Sequence, residues 1–220
     1  MDEKSAKSDV WDIQTYIYDE KNKITYPRLL AIATEIKKTK FGNKVLELGC
    51  GLGVLHEILG EEYQYYGCDV SYKVVRMHNN PNIVQCDLDF ELPFKELKFD
   101  YVVCSGVIEY LSDVKKFLLD LNRCYSHESC LFLITISNSA NLWDRISMLR
   151  GHFPNHASLW KNFFSLKDFL NLLSECQFKV LKYYPSSYIP TRHKKLTLLI
   201  SRNFPSLFGA QFLFLCEKKH

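Results

Sequence analysis

Residues 45–53 read VLELGCGLG. An apolar run passes into three glycines within five positions, Gly49, Gly51 and Gly53, and an acidic residue, Glu47, stands two places before the first. The run is strand-like, and glycines free the backbone for a tight turn that a ligand can approach closely. The same pattern recurs downstream. KVLELGC is followed by a helical VLHEILGE, YQYYGCDV by SYKVVRMH, NIVQCDL by a loop with Pro93, FDYVVCSG by VKKFLLDLNRCY, and CLFLITISN closes the run. Strands alternating with helices every 18–30 residues or so predict βαβ units and a mostly parallel sheet with helices on both faces. Upstream, Pro27 is expected to open a helix with apolar positions Leu29, Leu30, Ile32, Ala33 and Ile36. Downstream, NLWDRISMLRG predicts a short helix stopped by Gly151, and SLKDFLNLLSEC one with a capping box from Ser165 to Asp168. FKVLKYY and FGAQFLFLCEKK read as two last strands with no strong crossover helix between them.

The chain has 220 residues, 47% of them hydrophobic, which suits a single domain over 1–220 with a sizeable core. Net charge is only +3, so the whole chain is no polyanion binder, but residues 1–144 sum to −6 and residues 145–220 to +9. The start, MDEKSAKSDV, lacks the apolar segment of a signal peptide, and the longest apolar runs are strand-sized. The eight cysteines form neither a CxxC nor a His/Cys cluster, so they read as buried, reduced thiols of a cytoplasmic protein with no metal. Cys50, Cys68, Cys86 and Cys104 fall 18 residues apart, the period of the repeating unit.

Three ligand classes use a glycine turn after a strand. A phosphate-binding P-loop needs GxxxxGK[ST], and residues 49–56 have no lysine. A dinucleotide turn wants its third glycine five positions after the first, where this chain has Val54. Glu47 argues the same way, because a carboxylate about 5 Å from a pyrophosphate costs a few kcal/mol at an effective dielectric near 20. A ligand carrying an ammonium and a sulfonium, S-adenosylmethionine, is attracted instead.

Glu47-Leu-Gly-Cys-Gly51-Leu-Gly53, then Asp69 after the second strand, Asp87 after the third, and FDYVVCSGVIEYLSD (99–113) are four elements in order. On them the chain resembles the class I S-adenosylmethionine-dependent methyltransferases. The resemblance implies a Rossmann-like, doubly wound α/β fold whose seven-stranded sheet is mostly parallel, with one antiparallel strand near the C-terminus inserted between the last two. It implies S-adenosylmethionine as cofactor, S-adenosylhomocysteine as product, and a pocket made by Glu47, Gly49, Cys50 (through its amide), Gly51, Gly53, Asp69, Val70, Asp87, Leu88, Ser105 and Gly106. Asp69 would take the ribose hydroxyls, with a helix N-cap as the plainer reading, although Ser71 fills that position. Asp87 and Leu88 would meet the adenine, with Asp89 competing for that place. IS-Asn138-SANL-Trp143-D-Arg145, Gly151, Pro154 and the Asp168-Phe169 helix resemble the MetW-like, type 11 branch.

Many small-molecule members carry histidine after the glutamate of the fourth-strand element, whereas here the pair is Glu109-Tyr110. The general base is therefore unassigned, with Tyr110, His152 and His156 as candidates. An N-terminal cap (1–40) and a substrate-facing insertion (138–164) are expected to shape the acceptor site through Tyr16, Tyr26, Glu109, Asn138, Trp143, Arg145 and Trp160. The leading expectation is methyl transfer to a small molecule, glycan or lipid-linked sugar. The alternatives are an RNA methyltransferase, which the basic Arg192, His193, Lys194, Lys195 and Arg202 favour, and a non-catalytic partner subunit.

Overall fold

A computed structural model of the chain describes residue 8 and residues 25–125, 130–152, 160–188 and 203–219. The elements run α1 (Thr25–Thr39), β1 (Lys44–Leu48), α2 (Val54–Leu59), β2 (Gln64–Asp69), α3 (Tyr72–Met77), β3 (Ile83–Gln85), β4 (Tyr101–Ser105), a 3-10 turn (Ile108–Tyr110), α4 (Val114–Tyr125), β5 (Leu131–Ser137), α5 (Leu142–Leu149), α6 (Leu166–Glu175), β6 (Phe178–Tyr188), α7 (Pro205–Phe208) and β7 (Gly209–Lys218). The predicted strands and helices are found at their places. α1 starts at Thr25, two residues before Pro27, and Ser165 caps α6 with its hydroxyl donating to Asp168 Oδ2 at 2.6 Å while accepting the Asp168 amide.

The seven strands form one sheet in the order β3-β2-β1-β4-β5-β7-β6. Pairs from β3 through β5 are parallel, and β7 lies antiparallel between β5 and β6. This is the Rossmann-like arrangement expected. Central strands are buried on both faces, which is why their sequences are apolar without alternation. Leu46, Leu48, Val102, Phe132, Ile134 and Phe214 pack under α4 and α6 on one face. Val45, Tyr65, Tyr101, Val103 and Leu133 pack under α1 and α2 on the other.

The chain order reverses between β1 and β4, so the crevice at their carboxyl ends is the topological switch point of the sheet, where ligands of open α/β folds bind. Only four residues join α1 to β1, so α1 runs antiparallel to β1 and its first turn lies above that crevice. Asp100 closes the opposite end, its Oδ2 accepting the amides of Asn43 and Lys44 at 2.9 and 2.8 Å.

Asn138 ties off the sheet after β5. Its side-chain amide donates to the carbonyls of Ser206 and Gly209, both at 2.8 Å, and its Oδ1 accepts the Ala140 amide at 3.1 Å. Buried as it is, Asn138→Ala strands these groups and is expected to cost about 3 kcal/mol, read as a lower urea midpoint at unchanged slope.

Candidate active site

The turn after β1 is held from below. The amides of Gly49 and Cys50 both donate to the Cys68 carbonyl, at 2.8 and 2.9 Å. Gly49, Gly51 and Gly53 take φ of 77°, 50° and 76°, a left-handed backbone that side chains resist. At Gly49 the requirement is doubled, because a Cβ there would overlap Val107, on the loop after β4. The two loops that border the switch point thus touch through a glycine.

Asp69 ends β2, and its two oxygens accept the Gly51 and Ser71 amides, each at 3.0 Å. Burial raises its carboxyl above the usual range, opposed by those two amides. Ser71 caps α3 by accepting the Val74 amide at 3.2 Å, so the capping role falls to Ser71 and Asp69 orders the glycine turn. His78 reinforces this turn by donating from Nε2 to the Gly51 carbonyl at 2.8 Å.

Glu47 is 2% exposed and points to the α1 face with Val45 and Tyr65. The Tyr65 hydroxyl donates to its Oε2. Burial pushes its carboxyl up to about 8, against the pull of Tyr65 and of the Arg28 guanidinium. Cys50, beside it, is a buried thiol raised far out of the reactive range by burial.

At β3 the buried Asp87 accepts the Asp89 amide at 3.1 Å on Oδ1, while Asp89 accepts the amide and hydroxyl of Ser112 at 2.7 and 2.9 Å. Asp89 thus works as a clamp to the segment after the 3-10 turn, with Lys161 Nζ at 3.9 Å. Leu88 is half-buried against the core, and Val70 presents its carbonyl to Gln85 Nε2 at 3.0 Å.

At the end of β4, Ser105 is buried and its Oγ has no hydrogen-bond partner among the described residues, while the Gly106 amide donates to Thr135 Oγ1 at 3.1 Å. Glu109, 2% exposed, accepts the Ser137 amide on Oε1 at 2.6 Å, and its buried Oε2 has no hydrogen-bond partner among the described residues. The Trp160 indole N–H donates to the Tyr110 hydroxyl, and burial raises that phenol above its ordinary value, against the pull of the indole. Residues 160–162 are strapped to this corner: the amides of Lys161 and Asn162 donate to the Glu109 carbonyl at 2.8 and 3.1 Å, and Asn162 Nδ2 donates to the Leu111 carbonyl at 2.6 Å.

The structure therefore brings Glu47, the glycine turn, Asp69, Ser105, Gly106, Glu109, Tyr110 and Trp160 to the carboxyl edge of the sheet. His152 is exposed, and its backbone exchanges hydrogen bonds with Ser147. Trp143 is 49% exposed, and the exposed Arg145 donates to the Ala140 carbonyl at 2.6 Å. Tyr16, His156, Arg192, His193, Lys194, Lys195 and Arg202 lie outside the described residues, as does the Tyr26 side chain. Arg28, Tyr65 and His78 are neighbours of the site that sequence reasoning missed. Each lies outside any motif, and only the crossing of α1, β2 and α3 over the turn brings it there.

A family of methyltransferase domains matches residues 18–183. The chain belongs to that family. This methyltransferase-family chain is 28% identical over 156 residues to an uncharacterized protein of Methanocaldococcus jannaschii, covering 69% of this chain and 60% of that one. It is 29% identical over 112 residues to the ubiquinone biosynthesis O-methyltransferase of Idiomarina loihiensis, covering 47% and 46%. It thus spans about 60% or less of the length of these curated relatives. Its fold is shared with an S-adenosylmethionine-dependent methyltransferase from Clostridium acetobutylicum, at a TM-score of 0.66 and 15% identity over 96% of this chain and all of that one. Among the described residues no three His, Cys, Asp or Glu side chains group to hold a metal ion, and no helix is long and apolar enough to cross a membrane.

Proposed function

We propose that the protein uses S-adenosylmethionine to methylate a hydroxyl of a small molecule, including the sugar of a glycan or lipid carrier. The observation that carries this is the pair of carboxyl groups, Glu47 and Asp69, set around a three-glycine turn at the switch point of a methyltransferase-family sheet. The residues fit the cofactor: the turn leaves backbone exposed for close approach, Glu47 is a buried carboxyl suited to a cationic ligand, and Ser105 Oγ is a buried polar atom awaiting a partner. Bound there, the cofactor supplies an already activated methyl group. Asp69 would orient the ribose, Asp87 with Leu88 and Val70 would bound the adenine, and the turn with Ser105 and Gly106 would hold the amino-acid end. Glu109, with its buried Oε2, would accept the proton that a hydroxyl acceptor loses.

A small acceptor is favoured because residues 160–162 roof this corner within hydrogen-bond distance of Glu109. An acceptor-facing role for 138–164 is consistent with the Asn138–Phe164 bridge, and a capping role for 1–40 with Ser8 Oγ, which accepts the Tyr72 amide at 3.4 Å and Gln85 Nε2 at 3.3 Å beside the ribose end. The test is to incubate the protein with methyl-labelled S-adenosylmethionine and a mixed cell extract. Label is expected in the small-molecule fraction, and Glu109→Gln, which keeps an acceptor for the Ser137 amide, should lower the transfer by about 10²–10⁴-fold. Label retained on RNA would replace this reading with the RNA one. Cofactor binding with no label in any fraction would favour a non-catalytic partner subunit.

A further inference from the structure

The adenine side and the acceptor side of the site meet at Asp89. Residues 87–91 form one hydrogen-bonded turn: Asp87 Oδ1 accepts the Asp89 amide at 3.1 Å, and the Asp87 carbonyl accepts the amides of Phe90 and Glu91 at 3.0 and 3.2 Å. Asp87 and Asp89 are therefore parts of one short unit. The Asp89 side chain, 12% exposed, reaches from that unit to the loop after β4. Its Oδ1 accepts the Ser112 amide at 2.7 Å, and its Oδ2 accepts the Ser112 hydroxyl at 2.9 Å. The Ser112 oxygen in turn accepts Lys161 Nζ at 2.8 Å, and that ammonium lies 3.9 Å from Asp89 Oδ2. A relay of three side chains thus joins the adenine turn to residues 160–162. Those residues have their other holds on the same loop: the Lys161 and Asn162 amides on the Glu109 carbonyl, Asn162 Nδ2 on the Leu111 carbonyl, and the Trp160 indole on Tyr110.

Two features make this relay a control point. Its outer members are exposed: Ser112 lies on the surface, and the Lys161 side chain is 53% exposed. Exposed polar contacts contribute little each, so residues 160–162 can lift from the loop at small cost. Its inner end is the turn of Asp87, the residue read as the adenine partner. We propose that Asp89 is a positioning residue that links the seating of residues 160–162 on the Glu109 segment to occupation of the adenine end, so that bound cofactor and seated strap stabilise each other. This rests on the cofactor reading above. A ligand that orders the 87–91 turn fixes the Asp89 carboxylate, which then holds Ser112 and Lys161 at a smaller entropy cost. By linkage, the seated strap tightens the ligand by the same factor. The acceptor corner around Glu109 is then completed once the cofactor is in place.

The test is amide hydrogen exchange at Lys161 and Asn162, read with and without saturating S-adenosylhomocysteine. In the wild-type chain the ligand is expected to slow exchange of these two amides by about 5–20-fold. Asp89→Ala and Lys161→Met cut the relay at its two ends. Each should reduce the slowing to within about twofold and weaken S-adenosylhomocysteine by about the factor that the wild-type amides gain. The double variant should bind no more weakly than either single one, because both remove the same link. Lys161 stands 72 positions from Asp89, so a loss of affinity from Lys161→Met is not what a merely local role of Asp89 in its own turn would give. Wild-type binding without slowed exchange overturns this assignment alone. So does a Lys161→Met chain that keeps wild-type slowing and affinity, and so do losses that add in the double variant. If Asp89→Ala fails to fold, the wild-type and Lys161→Met measurements still decide. A folded wild-type chain that binds no S-adenosylhomocysteine overturns the cofactor reading and this assignment with it.

Discussion

Asp69→Ala is expected to lower S-adenosylhomocysteine affinity by about 10²–10⁴-fold while leaving the chain folded. A carboxylate has about four lone-pair sites. In Asp69 each oxygen accepts one of the Gly51 and Ser71 amides, with the Val70 amide also acting on the carboxylate, and the ribose hydroxyls would take the sites that are left. Each charge-assisted hydrogen bond contributes about 1.5–3 kcal/mol, and the two lost together give the expected factor. The substitution also releases the amides that hold the glycine turn against β2, which adds to the loss. Wild-type affinity in a folded Asp69→Ala chain would remove the ribose from this corner.

Glu47 is expected to make the stability of the ligand-free protein fall with rising pH. Its carboxyl is raised from 4.5 to about 8 by burial. Between those values the folded chain holds a proton that the unfolded chain has lost. The stabilisation is therefore fully present below about pH 4.5 and is lost as pH rises through about 8. At about 1.4 kcal/mol for each pH unit that separates the two values, the loss amounts to a few kcal/mol. Glu47→Gln keeps an acceptor for the Tyr65 hydroxyl and does not ionise, so its urea midpoint should stay level between about pH 5 and pH 8 while the wild-type midpoint declines. The cofactor's ammonium and sulfonium favour the ionised form. Binding below about pH 8 should then release a proton, seen in calorimetry as heat that varies with the buffer's ionisation enthalpy, and absent in Glu47→Gln. A wild-type midpoint that rises over this range would show that burial does not dominate at Glu47.

The fold was legible because a parallel sheet imposes a local signature. Strands buried on both faces must be apolar along most of their length, and a helix returns the chain after most of them, with a loop after β3, so the alternation from residue 44 to residue 137 could be read directly. The glycine turn was legible for a similar reason: Gly49, Gly51 and Gly53 all take positive φ, a local backbone demand that residue type alone announces. Asp69 was legible from its place at a strand end. The surroundings of Asp87 and Asp89 were not, because both follow the same short strand, and only the structure shows that Asp89 takes Ser112 and Lys161 as partners while Asp87 is buried.

The acceptor corner was the least legible. Trp160 and Tyr110 are 50 positions apart, and nothing in either segment announces the hydrogen bond that joins them. Asn138 reads in sequence as a pocket polar group, yet its amide is consumed by Ser206 and Gly209, segments that meet it only after β7 has inserted between β5 and β6. α5 inverts the usual rule: its buried residue is Asp144, satisfied by the Asn141 cap, while Leu149 is 88% exposed.

By itself, then, the sequence determined the order of strands and helices, the shape of the glycine turn and the carboxylates at the strand ends, because these depend on burial period and backbone conformation within a few residues. Tertiary structure alone decided that Glu47 is a buried carboxyl in the field of Arg28, that the Arg28 guanidinium fills the space a side chain at Gly106 would take, and that residues 160–162 are tied to the Glu109 carbonyl. Those relations join elements distant in the chain, and they exist only where the sheet reverses direction and α1 crosses above it.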